Sequence, residues 1–336
     1  MTKSSPAGTR YDVIAIGNAI VDVMAPADDA LVEQLGMVRG GMALIDTDRA
    51  NELYAAMGSG IEISGGSAAN TLAGLSALGA KCAFIGQVAE DQLGAIFAHD
   101  IRAGGIDYST APRPGEPPTG RCLIFVSPDG QRTMNTFLGA SHYLPLSALD
   151  EDAVREASVL YLEGYMWDPP EPREVMRRAI AVAHAAGRTV AFTTSEVFMI
   201  DIHGADFRAL IDNGSIDILF CNHHELAALT GNEDFEAGIA QVAPKVKILV
   251  VTRSADGAVA VAGDERAEVP AVPDVQVVDT TGAGDLFAAG FLSGHVRGES
   301  LTRCLELGAV AAAEIISHYG ARPEADLKAL VAEKLG

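Results

Sequence analysis

Short apolar runs separated by longer amphipathic stretches set the pattern of this chain. Runs of this length are typical of buried parallel strands, and they occur at 11–16, 81–86, 158–162, 189–192, 217–220 and 246–252. Stretches with helical periodicity follow them, at 91–103, 171–186, 301–317 and 325–335. The alternation predicts an α/β fold, with a central, mostly parallel sheet flanked by helices on both faces. We expect one such domain over residues 10–336.

Two zones depart from this alternation, at about 36–60 and 106–141. The first is rich in glycine, with a short strand expected near 41–45, and the second has four prolines within 112–118 that break any helix. Apolar segments at 121–126 and 132–137 flank Ser127-Pro128-Asp129-Gly130, which is a hairpin signal. Together the zones predict a small, discontinuous β lid that closes over a ligand and excludes water.

Charge and composition exclude several classes of function. The chain has 336 residues and a net charge of −21, which argues against nucleic-acid binding because that needs basic patches. No apolar run is long enough to span a membrane, and the first ten residues lack the apolar core of a secretion signal, so we expect a cytoplasmic protein without membrane partners. The scattered cysteines read as core residues rather than as disulfides or zinc ligands: Cys82, Cys122, Cys221 and Cys304.

The richest chemistry lies in the segment 278–292. Gly282, Ala283 and Gly284 lie where an extended arm meets a helix, so their backbone N–H groups can bind an anion, helped by the helix dipole. Asp285 follows directly. A carboxylate beside an anion site suits a general base that takes a proton from a hydroxyl group, which is the arrangement that phosphoryl transfer needs. An ordinary capped helix after a glycine turn is the alternative interpretation.

The run from Asp279 to Asp285 (DTTGAGD), followed by AAGFL at 288–292, resembles the signature of the ribokinase-like (pfkB) family of carbohydrate and nucleoside kinases. The resemblance implies a ribokinase-like fold, ATP and Mg²⁺ as cofactors, and Asp285 as the catalytic base. It also suggests a monovalent cation such as K⁺ near Asp279.

Polar residues expected on the substrate side come from two other stretches. Asp22 follows the first strand, where ligands gather at the carboxyl edge of an open sheet, although a loop Asp can also simply cap a turn. Gly65 and Gly66 allow a backbone to approach a ligand, and Asn70 lies in the first turn of the next helix. By the resemblance, Asp22, the glycines and Asn70 hold substrate hydroxyls. Phe137 in the lid offers an apolar wall for a base.

The nucleotide side is expected around two turns. Asn222 and Glu225 form an Asn-x-x-Glu motif at a helix start, which resembles the family motif that arranges the water shell of Mg²⁺; a capping box is compatible with that role. Zinc binding by the neighbouring histidines is disfavoured, because adjacent histidines point apart on a helix. By the resemblance, Thr252 and Gly257, at the turn after the 246–252 strand, contact the nucleotide together with Gly284. Arg253 is expected to bind the ATP phosphates, with a solvated turn residue as the alternative.

These patterns favour an ATP-dependent kinase that phosphorylates a primary hydroxyl group of a small molecule. The resemblance favours adenosine, with fructose, ribose or 2-keto-3-deoxygluconate as alternatives. A non-catalytic nucleotide- or sugar-binding regulator is disfavoured because the base and the glycine turn are both present. A dehydrogenase is disfavoured because no GxGxxG follows the first strand. The sequence leaves monomer and homodimer open.

Overall fold

The computed structural model describes residues 9–336; the expectation for the first ten residues therefore falls almost wholly outside the described residues. Its strands are β1 (Tyr11–Ile16), β2 (Ile20–Pro26), β3 (Met42–Leu44), β4 (Ile61–Gly65), β5 (Cys82–Ile85), β6 (Ile106–Tyr108), β7 (Gly120–Val126), β8 (Arg132–Phe137), β9 (Ala157–Glu163), β10 (Thr189–Thr193), β11 (Ile218–Asn222), β12 (Ile248–Thr252), β13 (Ala258–Ala262) and β14 (Glu265–Val269). Its α-helices are α1 (Asp29–Gln34), α2 (Thr47–Ala56), α3 (Ser67–Ala77), α4 (Gln92–Ala103), α5 (Glu151–Arg155), α6 (Pro170–Ala185), α7 (Val197–Asp212), α8 (His223–Thr230), α9 (Phe235–Val242), α10 (Ala283–Val296), α11 (Leu301–Ile315) and α12 (Leu327–Leu335).

The larger of two sheets has nine strands in the order β14-β13-β12-β11-β10-β9-β1-β5-β6. Neighbouring strands run parallel from β12 to β6, and the pairs β12–β13 and β13–β14 at the other end are antiparallel. The mostly parallel sheet predicted from the apolar runs is therefore confirmed. Parallel strands place their carboxyl ends at one edge, where the polar residues described below collect.

Helices cover both faces of this sheet, as predicted. Along β1, Val13 and Ala15 belong to an apolar cluster shared with α3, α10 and α11. The alternate residues Ile14 and Ile16 belong to a second cluster shared with α6, α7 and α8. All four side chains are fully buried, which explains why β1 reads as an unbroken apolar run rather than an alternating one.

The smaller sheet has five strands in the order β3-β8-β7-β2-β4. The predicted hairpin is confirmed as the antiparallel pair β7–β8, and a strand is present near 41–45 as β3. Two strands, β2 and β4, lie outside the segments predicted for the lid, and β6 lies inside one of them but joins the large sheet. The polar Asp22 interrupts the apolar pattern of β2, so the pattern predicts a loop where the structure has a strand. No helix in residues 9–336 is long and apolar enough to cross a membrane.

Candidate active site

Helix α10 begins at the edge of the large sheet, directly after the extended arm. Its N-cap, Gly282, has φ +77°, and a Cβ there would come within 2.9 Å of the Cβ of Ala321. Both the backbone conformation and the close approach therefore require glycine at this position. The structure brings the predicted helix N-terminus together with the turn around Ala321.

The amides at this N-terminus differ in one respect from expectation. The N–H of Ala283 donates to the carbonyl of Thr280 at 3.2 Å, because the chain turns tightly into the helix. Within the described chain, the N–H groups of Gly282, Gly284 and Asp285 have no acceptor. Gly284 is exposed, and a Cβ built there would meet no atom within 4 Å. The open amides that could bind an anion are therefore those on either side of Ala283.

Asp285 lies in the first turn of α10, and both of its carboxylate oxygens are held by α3. The Ser67 hydroxyl donates to Oδ1 at 2.6 Å, and the Asn70 side-chain amide donates to Oδ2 at 3.0 Å. Burial raises the pKa of Asp285 above its usual range, and the two hydrogen bonds act against that rise. A carboxylate with a raised pKa and a fixed orientation is suited to accept a proton.

Asp22 reaches the same region from β2. Its carboxyl group lies against Gly65, where a Cβ would come within 2.6 Å of the carboxyl carbon, so glycine is needed there. Burial raises the pKa of Asp22 to about 6; Asp285 adds to the rise, whereas Arg322 and Arg132 oppose it. The charge of Asp285 therefore contributes to the raised pKa of Asp22.

Gly66 is the N-cap of α3, with φ +101°, and a Cβ on it would overlap the carbonyl oxygen of Asn18. The glycine therefore lets the chain between β4 and α3 pass directly beside the end of β1. Asn70 then points at Asp285 from the same helix. Gly65, Gly66 and Asn70 are thus brought together with both carboxylates.

Two arginines balance these carboxylates, and the sequence did not mark either as a site residue. Arg322 donates to the carbonyl oxygens of Ser64 and Ala69, the latter at 2.6 Å. Burial lowers the pKa of Arg322 to about 10, although Asp22 and Asp285 favour its charged form. Only its position in the turn after α11 signals this role, and such a signal is too general to use.

Arg132 is the second arginine, and it extends from β8 to the arm before α10. Its Nη1 lies 2.7 Å from Oδ2 of Asp279, and both side chains are almost fully buried. Oδ1 of Asp279 accepts from the N–H and the hydroxyl of Thr281. A guanidinium group thus already neutralises Asp279, so a monovalent cation there would have to share this carboxylate. That cation stays a prediction.

Asn222 and Glu225 form a complete capping box at the start of α8. The Asn222 side chain accepts from the Glu225 N–H at 2.9 Å, and Glu225 accepts from the Asn222 N–H at 3.0 Å. Thr194 also donates to Glu225 at 2.6 Å, and burial raises the pKa of Glu225. Residues 9–336 hold no group of three His, Cys, Asp or Glu side chains that could ligate a metal directly. The side-chain oxygens of Asn222 and Glu225 are of the type that suits Mg²⁺ held through its water ligands, and this role stays a prediction.

Thr252 pairs with Asn222 across β11 and β12, so these two predicted nucleotide contacts are neighbours. Arg253 instead forms an ion pair with Glu268, and its guanidinium lies 5.3 Å from the Phe235 ring, beside α9. Gly257 has φ +81°, and a Cβ there would overlap the carbonyl of Val269. The close approach of β14 thus explains why residue 257 is glycine. Arg253 pairs with Glu268 and contacts neither Asp22 nor Asp285.

Phe137, which the sequence predicts as a site residue, lies on the face of the smaller sheet opposite to Asp22. It pairs with Arg121, whereas Asp22 shares a face with Cys122 and, across β7 and β8, with Thr136. Side chains alternate along a strand, so the residue after Thr136 faces the other side of the sheet, and Phe137 is almost fully buried. The burial of Phe137 on that other side does not support its prediction as a wall for the substrate, which stays a prediction.

Ser67 and Glu163 also belong to this site, and the sequence did not identify either of them. Glu163 ends β9 and accepts from the Asn18 backbone N–H at 2.8 Å and from the Ala68 N–H at 2.7 Å. An acidic residue ending an otherwise apolar strand was the available signal. For Ser67, its place directly after Gly65 and Gly66 could have served.

Comparison with known proteins agrees with this geometry. Residues 14–327 match the pfkB family carbohydrate kinase domain. The adenosine kinase of Sinorhizobium meliloti is 47% identical in sequence, superposes with a TM-score of 0.89, and covers 96% of this chain and 99% of its own. A probable sugar kinase of Rhizobium etli is 45% identical with a TM-score of 0.90, covering 97% of this chain and 98% of its own.

A curated relative extends the comparison to sugar kinases. The ribokinase of Arabidopsis thaliana is 31% identical over 79% of this chain and 70% of its own length. These similarities span almost all of the described fold, including the arm, α10 and the turn after α11. The chain belongs to the pfkB family of carbohydrate kinases, phosphotransferases that act on a hydroxyl group of a sugar or nucleoside.

Proposed function

We propose that the protein transfers the γ-phosphoryl group of ATP to the 5′-hydroxyl group of adenosine, with Asp285 as the general base. The observation that carries the proposal is the position of Asp285: its carboxylate is fixed by Ser67 and Asn70 beside the open amides of α10. A proton acceptor next to an anion site is what transfer of a phosphoryl group to an alcohol requires.

The reaction needs little more than this geometry. As the hydroxyl oxygen bonds to the γ-phosphorus, the bond from phosphorus to the ADP oxygen breaks and the hydroxyl proton passes to Asp285. The N–H groups of Gly282 and Gly284 donate to the phosphoryl oxygens, while Asp22 and Asn70 hold the sugar. Mg²⁺, when bound, would screen the charge of the ATP phosphates, with its water ligands held by Asn222 and Glu225.

Adenosine is favoured by the apolar face of the smaller sheet. The face that carries Asp22 also carries a separate apolar cluster of six residues: Ile20, Met24, Cys122, Ile124, Val126 and Met134. A free sugar offers few apolar groups to such a surface, whereas a purine offers two broad faces. The 47% identity to a bacterial adenosine kinase supports the same choice.

The aromatic pair of Tyr165 and Phe198 adds a second apolar surface. Tyr165, just after β9, lies with its ring centroid 6.0 Å from that of Phe198 in α7. Burial raises the pKa of Tyr165, and the charges of Glu196 and Asp285 add to the rise. A nucleobase could pack against this pair, which a ketose or ribose would leave uncovered.

The test is a panel of acceptors with ATP: adenosine, inosine, fructose, ribose and 2-keto-3-deoxygluconate. We expect the largest kcat/KM for adenosine, with AMP and ADP formed in equal amounts, as measured by chromatography. An Asp285→Asn variant should still bind adenosine but lose at least 100-fold in kcat. A sugar that exceeds adenosine tenfold would replace the nucleoside assignment with the sugar-kinase alternative. Near-normal kcat in the variant would remove Asp285 from its role, and no turnover of any acceptor would favour the regulator.

A further inference from the structure

We propose that Glu163 is a positioning residue for phosphoryl transfer, which holds the first turn of α3 so that Ser67 and Asn70 orient the carboxylate of Asp285. The proposal rests on the proposed function, because it needs Asp285 to be the base. Glu163 itself would touch neither substrate.

The side chain of Glu163 joins three elements at the edge of the large sheet. From the end of β9, its Oε1 accepts from the backbone N–H of Asn18 at 2.8 Å and from the Asn18 side-chain amide at 2.7 Å. Its Oε2 accepts from the N–H of Ala68 at 2.7 Å, in the first turn of α3. One carboxylate therefore fixes the end of β1 and the start of α3 relative to β9.

The site leaves no room for another partner. Glu163 has no solvent-exposed surface, and a Cβ on Gly17 would come within 2.7 Å of its Oε2. A group so enclosed cannot contact a substrate in the cleft. Its influence on the reaction must therefore pass through the residues that it holds.

Every partner of Glu163 is a donor, so the geometry requires the ionised carboxylate. Burial raises the pKa of Glu163 to about 7, and the hydrogen bonds from Asn18 and Ala68 oppose that rise because they favour the charged form. The N-terminus of α3 compensates, because a negative charge there interacts favourably with the helix dipole. A glutamine in its place would have to point its NH₂ group at one of these donors.

The connection from Glu163 to the base is one helical turn long. Ala68, which Glu163 holds, lies directly after Ser67 and two residues before Asn70. These two neighbours donate to the two oxygens of Asp285, at 2.6 and 3.0 Å. A shift of α3 by about 0.5 Å would spoil both hydrogen bonds, and a base displaced by that amount transfers protons poorly.

The experiment is a double-mutant cycle between Glu163→Gln and Asp285→Asn, with adenosine and ATP as substrates. In the otherwise unchanged protein we expect Glu163→Gln to lower kcat at least tenfold while KM for ATP changes less than twofold. In the Asp285→Asn background the same change should lower the residual kcat by less than twofold, because the base it positions is already lost. A purely structural role would give equal losses in both backgrounds, and that result would overturn the proposal.

Asp217→Asn is the matched control. Asp217 is also a buried carboxylate that accepts a backbone N–H from a neighbouring strand, that of Val190 at 2.8 Å, but it lies just before β11 at the opposite edge of the sheet. We expect thermal stability to fall in this control while kcat stays within twofold.

Glu163→Asp replaces Glu163→Gln in the experiment if Glu163→Gln does not fold. The shorter side chain keeps the negative charge but moves it away from the N–H of Ala68. An unchanged kcat in the folded Glu163 variant would overturn the proposal, whereas an active Asp285→Asn variant would instead overturn the proposed function.

Discussion

Gly282 and Gly284, at the start of α10, are expected to serve different purposes, the first in folding and the second in catalysis. Substituting each by alanine distinguishes the two. Gly282→Ala should lower the free energy of unfolding by about 1–2 kcal/mol, because φ is +77° and the new Cβ meets Ala321. Gly284→Ala should keep or slightly raise stability, because Gly284 is helical and has open space around it, yet it should lower kcat at least tenfold by placing a methyl group in the anion site. Urea unfolding and steady-state kinetics on both variants check this crossed result. Unchanged kcat in Gly284→Ala would contradict an anion site here.

Asp22 makes stability depend on pH in a defined direction. Its folded-state pKa of about 6 exceeds that of an unfolded Asp, so the folded chain binds this proton more tightly. The stability tied to this group is present at low pH and is lost as pH rises through about 6. Relative to Asp22→Asn, the wild-type free energy of unfolding should therefore fall between about pH 4 and 6.5, by on the order of 1.4 kcal/mol for each unit of pKa shift. Parallel stability curves for the two proteins would contradict this.

At the residue scale, the roles that could be predicted are those of residues whose partners lie nearby in the sequence. Asp285 and the glycines before it lie in one run of sequence, so their roles could be inferred from spacing. Arg322 and Glu163 contact the site through partners far away in sequence, at Ser64 and Asn18. Those contacts depend on the order of strands in the sheet, which no short pattern encodes.

Among the elements, α8 allows two roles of its N-cap residue, Asn222, to be distinguished by experiment: helix capping and Mg²⁺ binding. Asn222→Ala removes the N-cap and should cost about 1 kcal/mol of stability while raising the Mg²⁺ concentration needed for half-maximal activity. Asp234→Ala removes the N-cap of α9, a helix of equal length, and should cost a similar amount without changing the Mg²⁺ requirement. Thermal unfolding and Mg²⁺ titrations of activity provide the two readouts. An equal Mg²⁺ requirement in both variants would leave Asn222 with a capping role alone.

Elements buried on both faces were the easiest to predict. The runs that became β9 to β12 and the helix that became α6 were expected within a few residues. The strand β2 was missed because its Asp22 faces the cleft, where a polar side chain is needed for the site rather than for the core. The edge strand β6 was assigned to the lid because it is only three residues long and lies next to the proline-rich segment.

For the whole molecule, the contact between the β7–β8 turn and the segment after α11 can be tested. The hydroxyl of Tyr319 lies where a Cβ on Gly130 would be, and the Arg132 guanidinium lies 5.2 Å from the centre of the same ring. Gly130→Ala should therefore push the turn away from Tyr319, raise KM for both substrates severalfold and speed proteolysis of the hairpin.

Gly214→Ala is the control for Gly130→Ala. Gly214 also has positive φ, +73°, but no atom lies within 4 Å of a Cβ built on it. It should cost about 1 kcal/mol of stability from backbone strain and leave KM unchanged. Adding Tyr319→Ala to Gly130→Ala should restore KM toward normal. Equal KM values for the Gly130 and Gly214 variants would show that the turn does not close the cleft.

The overall architecture was predictable as a class but not as a topology. Alternating apolar runs and helices lead to a parallel sheet with two helical layers, whereas the placement of β1 between β5 and β9 follows from crossovers that the sequence does not display. The smaller sheet was harder still, because its five strands come from two separate parts of the chain, 20–65 and 120–137.

The interior place of β1 in the large sheet has a consequence during synthesis. On one side its backbone bonds to β5, which leaves the ribosome soon afterwards, but on the other it bonds to β9, where Tyr11 pairs with Ala157. Until translation reaches β9, an apolar strand keeps an unpaired edge, and that edge can recruit another nascent chain. Chaperones that bind early in translation would shield this edge, and slowing ribosomes before β9 should increase aggregation more than slowing them after it.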